Sequence, residues 1–206
     1  REFLEFSKSQ HKDLMNYCNS INIEYSTSVW DVNSAEEICE LNPKMIKVPS
    51  ASNTHYKMLE VLRDVYKGDV HVSFGMTTNK EQEKLVSFFE EKNEAKNRLI
   101  LYSCTSGYPV SFEDVCLLEI IKIKDKYKNR VKSIGFSGHH LGISIDIAAY
   151  TLGVNWIERH FTKDRTWKGT DHSASLEPSG FSKLTRDLKA TYKSLNYKGQ
   201  EILDIE

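Results

Sequence analysis

Strand-like and helix-like runs alternate along this 206-residue sequence, and that alternation limits the folds open to it. After an opening helical stretch, "FLEFSKSQHKDLMNYCNSI", with Leu4, Leu14, Tyr17 and Cys18 on one broad face, six strand-then-helix units follow. The strands are "IEYSTSVWD", "KMIKVPSAS", "VHVSFGM", "RLILYSCTSGYP", "VKSIGFSGHH" and "VNWIERHFT". The helices between and after them begin at "NSAEEICEL", with Asn33 or Ser34 as N-cap, and end at "SGFSKLTRDLKATYKSL", with Ser179 as N-cap. Gly68 and Gly153 are read as helix stops, and Ser111 or Phe112 as a helix start. The charged helix around residues 79–97 reads as a solvated face. Such alternation requires a parallel sheet with crossover helices, so the chain is α/β.

Two closures of a parallel sheet are available, a doubly wound sheet and a barrel. No G-x-G-x-x-G follows the first strand, which weakens a dinucleotide-binding sheet. Polar residues instead gather at the C-terminal ends of nearly every strand: Thr27 and Ser28, Lys47 and Ser50, Ser73, Ser103 and Ser106, Ser137 and His139, Glu158 and His160. In a barrel these ends share one mouth. The expected fold is therefore a TIM (β/α)8 barrel of which the last six strand-helix units are present, two N-terminal units being absent.

Composition excludes several function classes. Lys plus Arg number 28 against 29 Asp plus Glu, a formal net charge of −1, without the basic footprint of a nucleic-acid binder. No apolar run approaches the roughly 20 residues of a membrane span, and no signal-peptide pattern opens the chain. The four cysteines form no C-x-x-C pair, which points to a reducing, cytoplasmic setting. Cys18, Cys39 and Cys116 are expected to be small buried hydrophobes.

Pleat parity assigns the chemistry-bearing residues to faces. Across "SIGFSGHH", Ser133, Gly135, Ser137 and His139 share one face, while Ile134, Phe136, Gly138 and His140 share the other. Across "VNWIERHF", Trp156, Glu158 and His160 lie opposite Arg159 and Phe161. His139 and His160 would then converge at the mouth. A single histidine is more often a satisfied polar residue, but two at matching strand ends suit a working Mn, Fe, Co or Zn ion with room for water and substrate oxygens. His140 points the other way and reads either as structural or as a support behind the metal-binding residues. Lys47 with Ser50, Ser73, Ser106 and Ser137 offers a cation and hydroxyls for a phosphate or carboxylate; any one serine taken alone reads as a strand terminator, and it is the group with Lys47 that points to an anion site. The polar stretch "RTWKGTDHSASLEPSG" suits a binding loop. In it Asp171 is either a sugar-hydroxyl partner or a turn residue.

Three stretches, "IKVPSASN", "GFSGHHLGISIDIAAYTLG" and "NWIERHFTKDRTWKGTDHSASLEP", resemble the sialic acid synthase family, which includes N-acetylneuraminate synthases and their spore-coat and capsule-polysaccharide relatives. The resemblance runs over essentially the whole chain. It implies a TIM barrel followed by a small antifreeze-like domain, with residues 1–200 a partial barrel and "EILDIE", 201–206, the start of the linker. It implies condensation of phosphoenolpyruvate with N-acetylmannosamine or its 6-phosphate, giving N-acetylneuraminate or its 9-phosphate and phosphate, by a C–C bond-forming transferase. Alternatives are the same chemistry making a legionaminic- or pseudaminic-type acid, a non-catalytic barrel remnant, and a Schiff-base aldolase using Lys47. The resemblance also implies metal binding by His139 and His160, with Mn2+ as cofactor, or Mg2+ or Co2+. It places Lys47, Ser50, Ser73, Ser106 and Ser137 at the phosphate, Thr27 near the carboxylate, and Tyr108 and Asp171 at the sugar; His139, His160 and Asp171 form the catalytic set. A cytoplasmic homodimer is implied as well.

The sequence departs from the family pattern at Ser52, where many members carry Glu or Asp, at Ser106, where some carry Asn, and in "SFGM" for "STGM". The family's N-terminal acid, its upstream lysine and the arginine of its C-terminal domain have no counterpart within these residues, so the segment alone is expected to be inactive or impaired.

Overall fold

The computed structural model describes residues 5–206; Leu4 of the predicted opening face lies outside them. Helix α1 (Lys8–Ser20) starts at a Ser7 capping box and buries none of its residues. Leu14 is 37% exposed and Tyr17 63%, so the predicted apolar face of this helix is not a core face. Helix α2 (Val32–Leu41) is capped by Asp31 rather than Asn33 or Ser34: its carboxylate accepts the Ser34 amide, and the Ser34 hydroxyl accepts the Asp31 amide. The three-residue spacing of that box selects Asp31 among the neighbouring candidates.

The sheet contains five parallel strands in sequential order, β1 (Met45–Val48), β2 (Asp69–Ser73), β3 (Leu99–Cys104), β4 (Ser133–Gly138) and β5 (Trp156–Arg159). The run predicted as a sixth strand, 23–31, is reduced to one parallel bridge, Ser28 with Lys47. Two backbone bonds hold it, Val29 to the Lys47 carbonyl and Lys47 to the Thr27 carbonyl. Crossovers are α3 (Tyr56–Asp64), α4 (Asn79–Glu90) with the single turn α5 (Ala95–Arg98), α6 (Glu119–Tyr127) and α7 (Ser144–Thr151); α8 (Pro178–Ser194) closes the chain.

Several predicted boundaries move for local reasons. Helix α3 ends at Asp64, before Gly68; there a Cβ would overlap the Tyr66 hydroxyl, so glycine serves a close approach rather than a helix stop. Helix α6 starts after a separate 3-10 turn at Glu113–Val115. In α8, Pro178 takes the first helical position and makes Glu177 the N-cap, not Ser179. Gly153 does follow α7, at φ +89. All four cysteines are free; Cys18 and Cys39 are half-buried and Cys116 is exposed, against the expectation of burial.

The sheet curls into half of a TIM-type barrel, so its two faces meet different surroundings. Outward residues Ile46, Val48, Val70, Val72, Leu99, Leu101, Ile134 and Phe136 form one core with Met58, Leu59, Leu62, Leu85, Val86, Phe89, Ile120 and Tyr127 of the helices. Near-continuous apolar strands are what a sheet covered on its outer face requires. Burying each such side chain contributes about 1.5–3 kcal/mol. The inward face is different. His71, Tyr102 and Trp156 pack across it, the His71 ring 4.8 Å from the Trp156 indole and its Nδ1 2.8 Å from the Tyr102 hydroxyl. Gly135 is required at this level, because a Cβ there would lie 2.7 Å from the Tyr102 ring.

Candidate active site

Above that aromatic layer, the inward positions become polar. Register places Cys104, Ser137 and Glu158 in one row across β3, β4 and β5. Lys47 reaches over from β1 and pairs with the Glu158 carboxylate. Its Nζ also lies 4.8 Å from the Tyr102 ring centroid. Burial pushes the Lys47 ammonium down to about 8, and the charge of the neighbouring Cys104 acts in the opposite direction.

Next to this pair, strand ends converge on small polar groups. The Ser50 hydroxyl lies 3.6 Å from the Cys104 thiol, and the Ser106 hydroxyl 4.0 Å from it. A Cβ on Gly75 would collide with both hydroxyls, so this glycine keeps a cradle open between them. Buried Asn53 fixes the strand end beneath by donating to the carbonyls of Ser73 (2.8 Å) and Gly75 (3.1 Å). The Ser73 hydroxyl is buried without a partner among the described residues. Burial raises the Cys104 thiol, but hydrogen bonding and charge from His139 and the hydroxyls of Ser50 and Ser137 outweigh it and bring the thiol to about 7.

The two histidines meet as pleat parity requires. His139 and His160 have ring centroids 5.1 Å apart, edge to face, and Tyr108 packs on both at 4.4 and 5.4 Å. His139 Nδ1 is 2.9 Å from the Thr105 carbonyl, which only accepts, so Nδ1 carries a proton and donates it, with Nε2 left on the other side of the ring. His160 Nδ1 lies 3.6 Å from the Asp171 carboxylate. Burial, then the neighbouring His139, holds the His160 imidazole below its ordinary value, favouring the neutral form. Imidazole rings whose Nδ1 atoms face a carbonyl and a carboxylate, leaving Nε2 for a ligand, are the arrangement of metal-binding histidines, so the residues fit a divalent ion. Among the described residues no group of three or more His, Cys, Asp or Glu side chains forms a ready-made cage. An ion on these two rings would keep most of its positions for oxygen ligands.

Lys47, Ser50, Ser106, Tyr108, Ser137, His139, His160 and Asp171 are thus linked into one connected mouth. Thr27 joins through its backbone carbonyl, and Ser73 sits buried at the floor. Sequence reasoning passed over Cys104, Asn53, Gly75 and the Lys47–Glu158 pairing. Only the positions of Gly75 and Cys104 at the ends of their strands could have signalled any of these. No helix among the described residues is long and apolar enough to cross a membrane.

Comparison with known proteins places this mouth in context. The family model described as the NeuB family matches residues 1–200. The chain is 34% identical over 207 residues to N-acetylneuraminate-9-phosphate synthase of Mus musculus, covering 100% of this chain and 56% of the mouse protein. It is 31% identical over 192 residues to N,N'-diacetyllegionaminic acid synthase of Campylobacter jejuni, covering 93% of this chain and 56% of that protein. The chain therefore spans about half the length of these curated relatives. Among solved structures, the N-acetylneuraminic acid synthetase of Leptospira borgpetersenii, crystallised with citrate, superposes with a TM-score of 0.87 at 31% identity, covering 98% of this chain and 68% of that one. The chain belongs to the NeuB family, among the sialic acid and related nonulosonic acid synthases.

Proposed function

We propose that the protein condenses phosphoenolpyruvate with an N-acetylated aldose, N-acetylmannosamine or its 6-phosphate, and releases phosphate. The observation that carries this reading is the union, at one barrel mouth, of a two-imidazole pair with a cation-and-hydroxyl cradle. Lys47, Ser50, Ser73, Ser106 and Ser137 would hold the phosphate, Gly75 leaving it room, and Thr27 would lie near the carboxylate. Tyr108 and Asp171 would orient the sugar. His139 and His160 would hold a divalent cation, Mn2+ before Mg2+ or Co2+, which when bound supplies Lewis-acid polarisation of a carbonyl. The enol carbon of phosphoenolpyruvate attacks the sugar's open-chain aldehyde, forming the C–C bond. Water adds to the cationic carbon left behind, and the resulting hemiketal phosphate expels phosphate. Lys47, buried and charge-paired, would keep the phosphate oriented through these steps while the aromatic layer beneath the mouth limits stray water. The reading includes a cytoplasmic homodimer and treats residues 1–200 as the barrel segment and 201–206 as the start of a linker.

The legionaminic acid synthase relative supports a second acceptor class, with the same chemistry on a different N-acetylated sugar. The test is phosphate release by the full-length protein from phosphoenolpyruvate with each acceptor, in Mn2+ and in EDTA. Release that needs both Mn2+ and an N-acetylmannosamine-type acceptor supports the reading. Release only with another aldose moves it to the second class, and no release with any acceptor overturns it.

A further inference from the structure

Behind the two histidine rings, on the opposite pleat face, lies a second polar cluster. His140 follows His139 and Arg159 precedes His160, so both point outward where their neighbours point inward. His140 and Asp146 are fully buried, and the Arg159 side chain is 1% exposed. The Arg159 guanidinium pairs with the Asp146 carboxylate of α7. It also donates to the His140 carbonyl (2.7 Å) and the Gly142 carbonyl (2.8 Å), touches His140 Nε2 at 3.2 Å, and lies 3.5 Å from the Ala174 carbonyl. One side chain therefore ties the end of β4, the turn at Gly142, helix α7 and the 172–174 turn that follows Asp171.

This cluster is a poor device for stability alone. His140 Nδ1, Asp146 Oδ1 and Arg159 Nε are buried without partners among the described residues. A buried ion pair that is incompletely satisfied is often matched or bettered by apolar side chains of similar volume. What apolar side chains cannot do is fix carbonyl positions through a planar fork. The bonds it makes fall on the backbone of His140, beside His139, and originate from the residue beside His160.

We propose that Arg159, with Asp146 and His140, is a positioning cluster that sets the separation and orientation of the His139 and His160 rings for metal binding. The inference rests on the proposed role of those two rings. It assigns the cluster no contact with substrate or metal.

The test compares Mn2+ affinity and the visible absorption of bound Co2+ in four forms of the full-length protein: wild type, Arg159→Lys, the neutral pair Asp146→Leu with Arg159→Met, and Arg98→Met. Arg159→Lys keeps the charge but loses the fork, and the neutral pair leaves no unpaired buried charge. Arg98 is a second buried arginine that binds carbonyls of Leu62, Arg63 and Gly68, at the other end of the sheet, and controls for general loss of stability. The expected result is Mn2+ binding weakened at least tenfold and an altered Co2+ spectrum in both Arg159 forms, with neither change in Arg98→Met. Folded Arg159 forms with unchanged affinity and spectrum would overturn the proposal. So would failure of both to fold, since the cluster would then serve the fold alone. A wild type that binds no Mn2+ would remove the proposed role of the rings themselves, a separate failure.

Discussion

Lys47 on β1 and Glu158 on β5 form an ion pair although their strands lie at opposite ends of the five-stranded sheet. Only a strongly curled sheet brings the two together, so this contact reports the barrel's curvature directly. It also sets a charged pair beside the proposed phosphate cradle.

The pair predicts a coupling energy. Removing one partner of a fully buried pair costs about 3–5 kcal/mol; Glu158 is 36% exposed and Lys47 13%, so about 1–3 kcal/mol is expected here. Lys47→Met and Glu158→Gln should each lower stability by that amount. The double variant should lose less than the sum in urea unfolding. Strict additivity would mean the two charges do not interact in solution.

Acid sensitivity should trace in part to His71. Burial pushes its imidazole down to about 4 from an ordinary 6.5. Between those values the unfolded chain binds the proton and the folded chain does not, so stability falls as pH drops through this window. The loss is about 3 kcal/mol when complete near pH 4. His71→Gln, which keeps a polar partner for Tyr102, should flatten the stability curve between pH 6.5 and 4. An unchanged acid limb would place the sensitivity elsewhere.

Gly75→Ala should spare the fold and damage the cradle. The added methyl would meet the Ser50 and Ser106 hydroxyls, at a position without positive φ. Binding of inorganic phosphate or phosphoenolpyruvate, followed by calorimetry, should weaken at least tenfold while the melting temperature moves little. Unchanged affinity would show that the anion does not sit between these serines.

Gly135→Ala should do the reverse. Its Cβ would press to 2.7 Å from the Tyr102 ring and 3.0 Å from the Trp156 Cβ. Overpacking of this kind costs about 1–3 kcal/mol. Thermal unfolding measures it directly, and a neutral result would mean that the inner aromatic layer yields.

The sequence made some of this architecture readable and hid the rest for definite reasons. Pleat parity in "SIGFSGHH" and "VNWIERHF" placed His139 and His160 inward and His140 and Arg159 outward, because a two-residue period is fixed by the backbone itself. The alternation of runs supplied the parallel order. The run at 23–31 looked like a strand by composition, yet it pairs with β1 only around Ser28; how far an edge segment pairs is set by its neighbour, not its own residues. Helix starts slipped where several capping residues stood together, as at Asp31, Asn33 and Ser34. The Lys47–Glu158 pair joins residues 111 positions apart, and the setting of Cys104 among Ser50, Ser106, Ser137 and His139 needs three strand ends at once. Neither follows from any local pattern.

The most direct test of the account is metal-dependent turnover in single histidine variants. Phosphate release from phosphoenolpyruvate and an N-acetylmannosamine-type acceptor would be measured across Mn2+ concentrations for wild type, His139→Ala and His160→Ala. The account predicts Mn2+-dependent release in the wild type and its loss in both variants, with the melting temperatures close to wild type. Full Mn2+-dependent release by either variant would contradict it.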